Sequence, residues 1–422
     1  MKFNKWTLGL AAVGVVSLAS AAQAQDTANT VLTALSATTI SGYVDTSAQW
    51  NFGTGNAYNP PYKFGGANKA DGFNLDVVQL SIAKPLDESE WAAGYRVDLW
   101  FGPDANTLGT QAGGTASDFA IRQAYVALRT PVGNGIDWKI GVFDSIIGYE
   151  SVASPNDPNY TRSYGHSIEP QTHTGILGTY RFCDTFSASF GIANTMNSAI
   201  NSRATAGSTG TTSGAFAQYG GLFGYVPPAN GVNPYAESYK TYMGSIAITA
   251  PDTMGFLSGS TLYGGVENGY NNSVLGSGAG LPQLNAYVGA TIATPVTGLR
   301  LGAAYDLLIV NSPFTGVGQI KGDIWSLAGY ASWQATEKLS FHERLEYVDG
   351  TLHDPVGASQ TVFAWTTTLQ YDLWKNVLSR VEFRWDHSAN DQAIFGGTGG
   401  TSGTGPNRDN AYMLAANIIY KF

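Results

Sequence analysis

Two patterns run together through this chain and leave it few folds to choose from. Segments of about ten residues alternate apolar and polar side chains, and the connections between them are sorted by length, short and long in turn. In the first such segment Ile40, Gly42, Val44, Thr46, Ala48, Trp50 and Phe52 share one face, and Ser41, Tyr43, Asp45, Ser47, Gln49 and Asn51 the other, because side chains of an extended chain point to opposite sides in turn. One face suits an apolar medium and the other suits water. The same period predicts strands at 40–52, 75–84, 91–101, 119–129, 136–143, 172–182, 186–193, 239–250, 257–267, 284–292, 299–309, 324–333, 339–348, 363–373, 377–385 and 410–422. That makes sixteen strands, seven short turns and eight long connections. The 257–267 segment is poorly phased, so the count lies between fourteen and eighteen.

A two-sheet sandwich with crossovers has no reason to sort its connections by length, whereas a barrel standing in a membrane does, with short turns on one side and long loops on the other. Composition agrees. Charged residues are 13% and glycines number 52 of 422, about half and nearly twice the usual shares for a soluble domain. Beyond the amino-terminal stretch no uncharged apolar run of about 18 residues occurs to form a membrane helix. A closed barrel is the other way to satisfy every backbone N–H and C=O inside a bilayer. The predicted fold is therefore all-β: a transmembrane antiparallel β-barrel of about sixteen strands, with short periplasmic turns and long extracellular loops.

Both ends fit. Lys2 and Lys5 precede an uncharged stretch, Trp6 to Ala22, and Ala22-Gln23-Ala24 is a small-x-small cleavage site, which predicts a signal peptide over 1–24, cut after Ala24. A short leader, 25–39, then precedes the barrel at 40–422. The last strand carries Tyr412, Leu414, Ala416, Ile418, Tyr420 and Phe422 on one face. It looks like the closing strand of an outer-membrane barrel, whose terminal aromatics, here Tyr420 and Phe422, are the signal read by the barrel-assembly machinery. Removing the two lysines takes the formal charge from -9 to -11, which argues against a nucleic-acid partner and hints at a weak preference for cations. The single cysteine, Cys183, allows no internal disulfide.

Aromatic residues gather beside the short turns (Trp91, Phe182, Phe186, Phe256, Trp333, Phe341, Trp374, Phe422), where an interfacial girdle in contact with outer-membrane lipid is expected. Two charges break the pattern. Arg122 and Glu343 fall on the predicted lipid face, where a charge at mid-bilayer costs about 2 to 4 kcal/mol; a bulge that shifts the register, or a place near a rim, would resolve each.

Ile121-Arg122-Gln123-Ala124-Tyr125-Val126, Ser154-Pro155-Asn156-Asp157-Pro158-Asn159-Tyr160, Arg162-Ser163-Tyr164-Gly165, His173-Thr174-Gly175 and Gly42-Tyr43-Val44-Asp45 together resemble the OmpL-like β-barrel porins, over essentially the whole mature chain. The resemblance implies a Gram-negative outer-membrane channel for small hydrophilic solutes and brings no catalytic or ligand residues with it. By analogy with general porins, it extends to a homotrimer.

A barrel this wide keeps an aqueous interior, so the residues that narrow it matter most. The third long connection, 144–171, is the candidate constriction loop by position, with Asp144, Glu150, Asp157, Arg162 and Glu169 as its charges. Facing it, parity places Arg96 and Asp98, Arg300 and Asp306, Arg344 and Glu346, and Arg380, Glu382 and Arg384 inward as candidate pore-lining residues. Charges so placed either set a field across the pore or brace its wall. Inward Tyr43, Trp100, Tyr125 and Tyr287 leave a sugar-type, substrate-specific channel as the alternative. Five scattered histidines and the lack of a Gly-x-Ser-x-Gly elbow argue against an enzyme, and nothing calls for a cofactor or metal.

Overall fold

The structure is a computed structural model, and it describes residues 37–53, 55–61, 69, 71–111, 117–202, 239–271, 281–311, 321–354, 358–399 and 403–422. The predicted signal peptide, with its cleavage after Ala24, and most of the predicted leader lie outside the described residues.

Sixteen strands form: β1 (Thr39–Asn51), β2 (Gly72–Lys84), β3 (Ala93–Phe101), β4 (Phe119–Thr130), β5 (Ile136–Asp144), β6 (Thr172–Arg181), β7 (Phe186–Ala193), β8 (Thr241–Thr249), β9 (Thr261–Asn271), β10 (Leu281–Ala293), β11 (Leu299–Asn311), β12 (Lys321–Gln334), β13 (Leu339–Asp354), β14 (Ala358–Trp374), β15 (Val377–Ser388) and β16 (Asn410–Lys421). Each pairs with its neighbours in sequence and β16 pairs with β1, so the sheet closes on itself. The seam is antiparallel, with Val44 opposite Tyr420 and Ala48 opposite Ala416. Beyond it the Phe422 N–H donates to the Gly42 carbonyl at 3.0 Å, and the Gly42 N–H donates to the Phe422 carbonyl at 2.9 Å. Gly42 has no side chain because the space is filled: a Cβ there would strike the Gln79 carbonyl and the Phe422 ring. Closure leaves no unpaired edge facing lipid.

Side chains sort by parity. Trp91, Phe182, Phe256, Trp333, Phe341, Trp374 and Phe422 are exposed beside the short turns, as an interfacial girdle requires. On the inner face, Ser, Thr, Gln, Asn and charged residues alternate with these apolar positions.

The departures from the sequence pattern have local causes. Strand β9 begins at Thr261 rather than Leu257, because Asp252–Leu257 winds into a 3-10 segment interrupted at Gly255, whose φ of 62° only glycine adopts freely. Strands β13 and β14 run on to Asp354 and from Ala358, so the connection between them is not one of the long loops. Arg122 is not on the lipid face. The pairing between β3 and β4 slips after Asp98, which faces Gln123 while Leu99 faces Ile121; Arg122 is the extra residue of that bulge and turns inward, 4% exposed. A second slip, between β1 and β2, makes Asp76 the extra residue opposite Asp45 and Thr46. Glu343 does stay on the outer face, four positions from the start of β13, near the rim.

Candidate functional site

The 27 residues between β5 and β6 fold into the barrel instead of standing above it. Their backbone turns through a short 3-10 segment, Ser154–Asn156, where proline presets the turn. It then forms a one-turn helix, α2 (Tyr164–Ile168), whose N-cap Ser163 accepts the His166 N–H. A loop lying in a lumen must find partners for its own N–H and C=O groups, and here the wall supplies them. Glu382 accepts the Tyr160 and Thr161 N–H groups at 2.5 and 2.9 Å. Glu346 accepts the Tyr164 N–H at 2.6 Å. Arg384 donates to the Arg162 carbonyl at 2.7 Å, Arg344 to the Thr161 carbonyl at 2.9 Å, and Arg380 to the Ser154 carbonyl at 3.0 Å and to that of Asp157. At the β10 side Asn285 donates to the Ile168 carbonyl at 2.8 Å.

Several of the charges are paired. Arg344 lies between Glu150 and Glu346, each at 2.8 Å, and Arg384 sits 2.9 Å from Asp386. Asp157 meets Arg162 at 2.9 Å, and the Glu169 carboxyl lies 3.7 Å from His166 Nδ1 and is bonded to Asp306. Within the loop, burial favours the neutral forms. It pushes Asp157 up to about 7 against the pull of Arg162, and Glu169 well above the usual range, with Asp306 adding to the effect. Burial, with Arg162 beside it, takes His166 down to about 3. Glu150 goes the other way: burial would raise it, but Arg344, with His166 and Arg162, holds it below its ordinary value.

This corrects part of the sequence reading. The nine wall residues expected to line the pore all point inward, yet Arg344, Glu346, Arg380, Glu382 and Arg384 are at most 2% exposed. They lie beneath the loop and hold it, so they do not face open water. Asp98 and Asp306 are likewise buried. Arg96, whose side chain is 40% exposed, and Arg300 remain partly open. Of the tyrosines and tryptophan considered for sugar stacking, Tyr43, Trp100 and Tyr287 are buried and Tyr125 alone is half-open.

A row of partly open inward residues crosses the wall from β3 to β6. There Arg96 stands opposite Tyr125, which stands opposite Gly141, which faces Gly175, and all four are partly exposed. The Lys139 ammonium lies 5.2 Å from the Tyr125 ring centre. Arg96 and Arg122 both hold Asp98, at 2.9 and 3.0 Å, and Arg122 also reaches Asp144 at the root of the loop. Three cations and two carboxylates therefore gather in this corner. Lys139 was missed in the sequence, although Trp138 and Ile140 outside already place it inside. Two further anchors were missed as well. Glu267 holds Ser145 Oγ and His173 Nε2, both at 2.8 Å, and Lys69 joins Asp76 at 2.9 Å to Asp104 of α1 (Pro103–Leu108) at 2.5 Å. Among the described residues no three His, Cys, Asp or Glu side chains come together to hold a metal ion.

A closed barrel of sixteen antiparallel strands, apolar outside and polar inside, with loop 144–171 folded into its lumen, is that of a bacterial outer-membrane porin. The chain belongs to the beta-barrel porin-2, OmpL-like family, whose model matches residues 37–422. No curated protein sequence matches it. Among solved structures it is similar to the outer membrane channel DcaP of Acinetobacter baumannii (13% identity, TM-score 0.55, covering 91% of this chain and 97% of that one). It is also similar to the anion-selective porin from Comamonas acidovorans (14%, 0.54, 91% and 99%) and to OmpT of Vibrio cholerae in its trimer form (12%, 0.53, 91% and 99%). At these identities the likeness is one of fold.

Proposed function

We propose that this porin passes small hydrophilic solutes and ions by passive diffusion through the aperture left between loop 144–171 and the β3–β6 wall, and that the aperture favours anions weakly. The observation that carries the reading is the uneven exposure of the lumen. Inward residues of β12 to β16 are buried under the loop, while Arg96, Tyr125, Lys139, Gly141 and Gly175 stay partly open. Arg96, Arg122 and Lys139 set against Asp98 and Asp144 leave one positive charge on this wall, where low-dielectric surroundings focus a field. That local excess outweighs the -9 of the whole sequence, much of which sits away from this corner.

The test is reversal potential across a planar bilayer under a KCl gradient. A chloride-selective sign is expected, with a shift toward potassium in Lys139→Gln; a potassium-selective wild type would refute the anion reading. Block of single-channel current by sugars but not by size-matched polyols would favour the substrate-specific alternative. The reading also takes the signal peptide to be removed after Ala24, Tyr420 and Phe422 to be the part recognised by the barrel-assembly machinery, and the working form to be a homotrimer, on the analogy of the trimer form of Vibrio cholerae OmpT.

A further inference from the structure

A carboxylate on the outer wall, close to the short turns, has no part in the channel. Glu343 faces lipid from β13, one outward position above Phe341. At about 3.3 Å per residue along a strand tilted by about 40°, it stands roughly 10 Å above the start of β13, just inside the periplasmic aromatic girdle. Its two oxygens accept from neutral donors on the adjacent strand, Oε2 from Trp365 Nε1 at 2.9 Å and Oε1 from Thr367 Oγ1 at 2.6 Å. Among the described residues no cationic side chain pairs with it. A carboxyl group on the lipid-facing wall, held by neutral donors and with no counter-charge beside it, is open to a partner from outside.

The surroundings indicate which partner. Trp365, Phe341 and Trp333 are 38, 38 and 44% exposed, and Trp333 and Phe341 are stacked at 5.8 Å. A carboxylate among exposed aromatic rings is the chemistry that holds an organic ammonium. Beside it the wall is indented. Ala331 lies opposite Glu343 and Gly329 opposite Leu345, Ala303 stands next to Gly329, and a Cβ built on Gly329 would meet nothing within 4 Å. The notch runs from Glu343 toward the bilayer centre, as an acyl chain would.

We propose that Glu343, Trp365 and the Gly329 notch form a binding site for a phospholipid with a primary-ammonium headgroup, such as phosphatidylethanolamine, in the periplasmic leaflet. The proposal rests on the barrel standing in the membrane and not on which solutes pass.

Native mass spectrometry of the detergent-purified full-length barrel, titrated with short-chain phosphatidylethanolamine and phosphatidylglycerol, tests it. Wild type should bind the ethanolamine lipid about tenfold more tightly than the glycerol lipid, and Glu343→Gln should abolish that difference. Gly329→Leu, which fills open space and leaves Glu343 in place, should weaken binding of both lipids and keeps the test valid if the first variant fails to fold. Equal binding of the two lipids by wild type, or undiminished preference in Glu343→Gln, overturns the site. So does loss of an oligomer in Glu343→Gln with the lipid preference intact, which would assign the carboxylate to a contact between copies. Bilayer conductance, recorded on the same preparations, reports separately on the channel.

Discussion

Removing Arg344 and Arg380 together should undo the docking of loop 144–171 without opening the barrel. Arg344 makes six hydrogen bonds, to Glu346, Glu150, the Thr161 carbonyl and hydroxyl, the Arg162 carbonyl and Thr366, and it is fully buried. In Arg344→Ala the Glu150 and Glu346 carboxylates stay buried without their cation, and breaking a buried pair in this way costs about 3 to 5 kcal/mol. Arg380→Ala frees two loop carbonyls from a charged donor, at roughly 1.5 kcal/mol or more each. Glu382, Arg384 and Asn285 still hold other parts of the loop, so the net loss of docking should be on the order of 5 kcal/mol, since coupled contacts do not add in full. None of these bonds belongs to the strand ladder, so the thermal melting of the sheet should move little. In planar bilayers the double variant should show larger and noisier single-channel conductance, and limited proteolysis should cut between residues 152 and 163. Arg344→Lys with Arg380→Lys keeps the charge but loses the fork of donors, and should fall between. Conductance, noise and protease resistance all equal to wild type would refute the view that these arginines hold the loop.

Three further outcomes follow from the same geometry. Asp157, raised to about 7 by burial, takes up a proton on docking, so its contribution strengthens docking as pH falls from about 7 toward 4. His166, lowered to about 3, gives one up, so its contribution is full above about 6.5 and is lost as pH falls toward 3. Asp157→Asn removes the first of these opposing terms. Acidification from pH 6.5 to 4 should then raise protease cutting of the loop more steeply in the variant than in wild type, and equal slopes would count against the assignment. Gly42→Val should lower the yield of assembled barrel, because its side chain meets the Gln79 carbonyl and the Phe422 ring at the seam; recovery of folded protein from the outer-membrane fraction measures it. Deleting Phe422 removes the two backbone hydrogen bonds to Gly42 and should lower the same yield, with a normal yield setting aside the terminal aromatic as an assembly signal.

The wall was legible because its rule is local. Alternation along Ile40 to Phe52 or Trp91 to Phe101 depends only on which side faces lipid, and pairs such as Arg96 with Asp98, Arg344 with Glu346 and Arg384 with Asp386 lie two apart on one face and so meet side by side. Arg122 defeated the rule because a bulge inserts one residue without changing composition. Strand β9 was misplaced since Leu257 to Gly259, apolar enough for a strand, was spent in a wide turn. The contacts that matter most for passage were out of reach. That Glu382 would accept the N–H groups of Tyr160 and Thr161, more than two hundred residues earlier, depends on how the loop crosses the lumen, and neither partner's neighbourhood carries a trace of the other.

The separation in sequence of these contacts also orders events in time. The Tyr164 N–H waits for Glu346, 182 residues later, and the Ser154 carbonyl for Arg380, 226 residues later. During synthesis and export the loop is therefore made long before anything exists to receive it, and its carboxylates and arginines travel hydrated. Ring closure cannot come first either, as β1 has no partner until β16 arrives. The final step of biogenesis must then do two things nearly at once, zipping the seam and drawing a polar segment down into the space just enclosed, and a chain halted before β13 would lack most of the sockets that seat it.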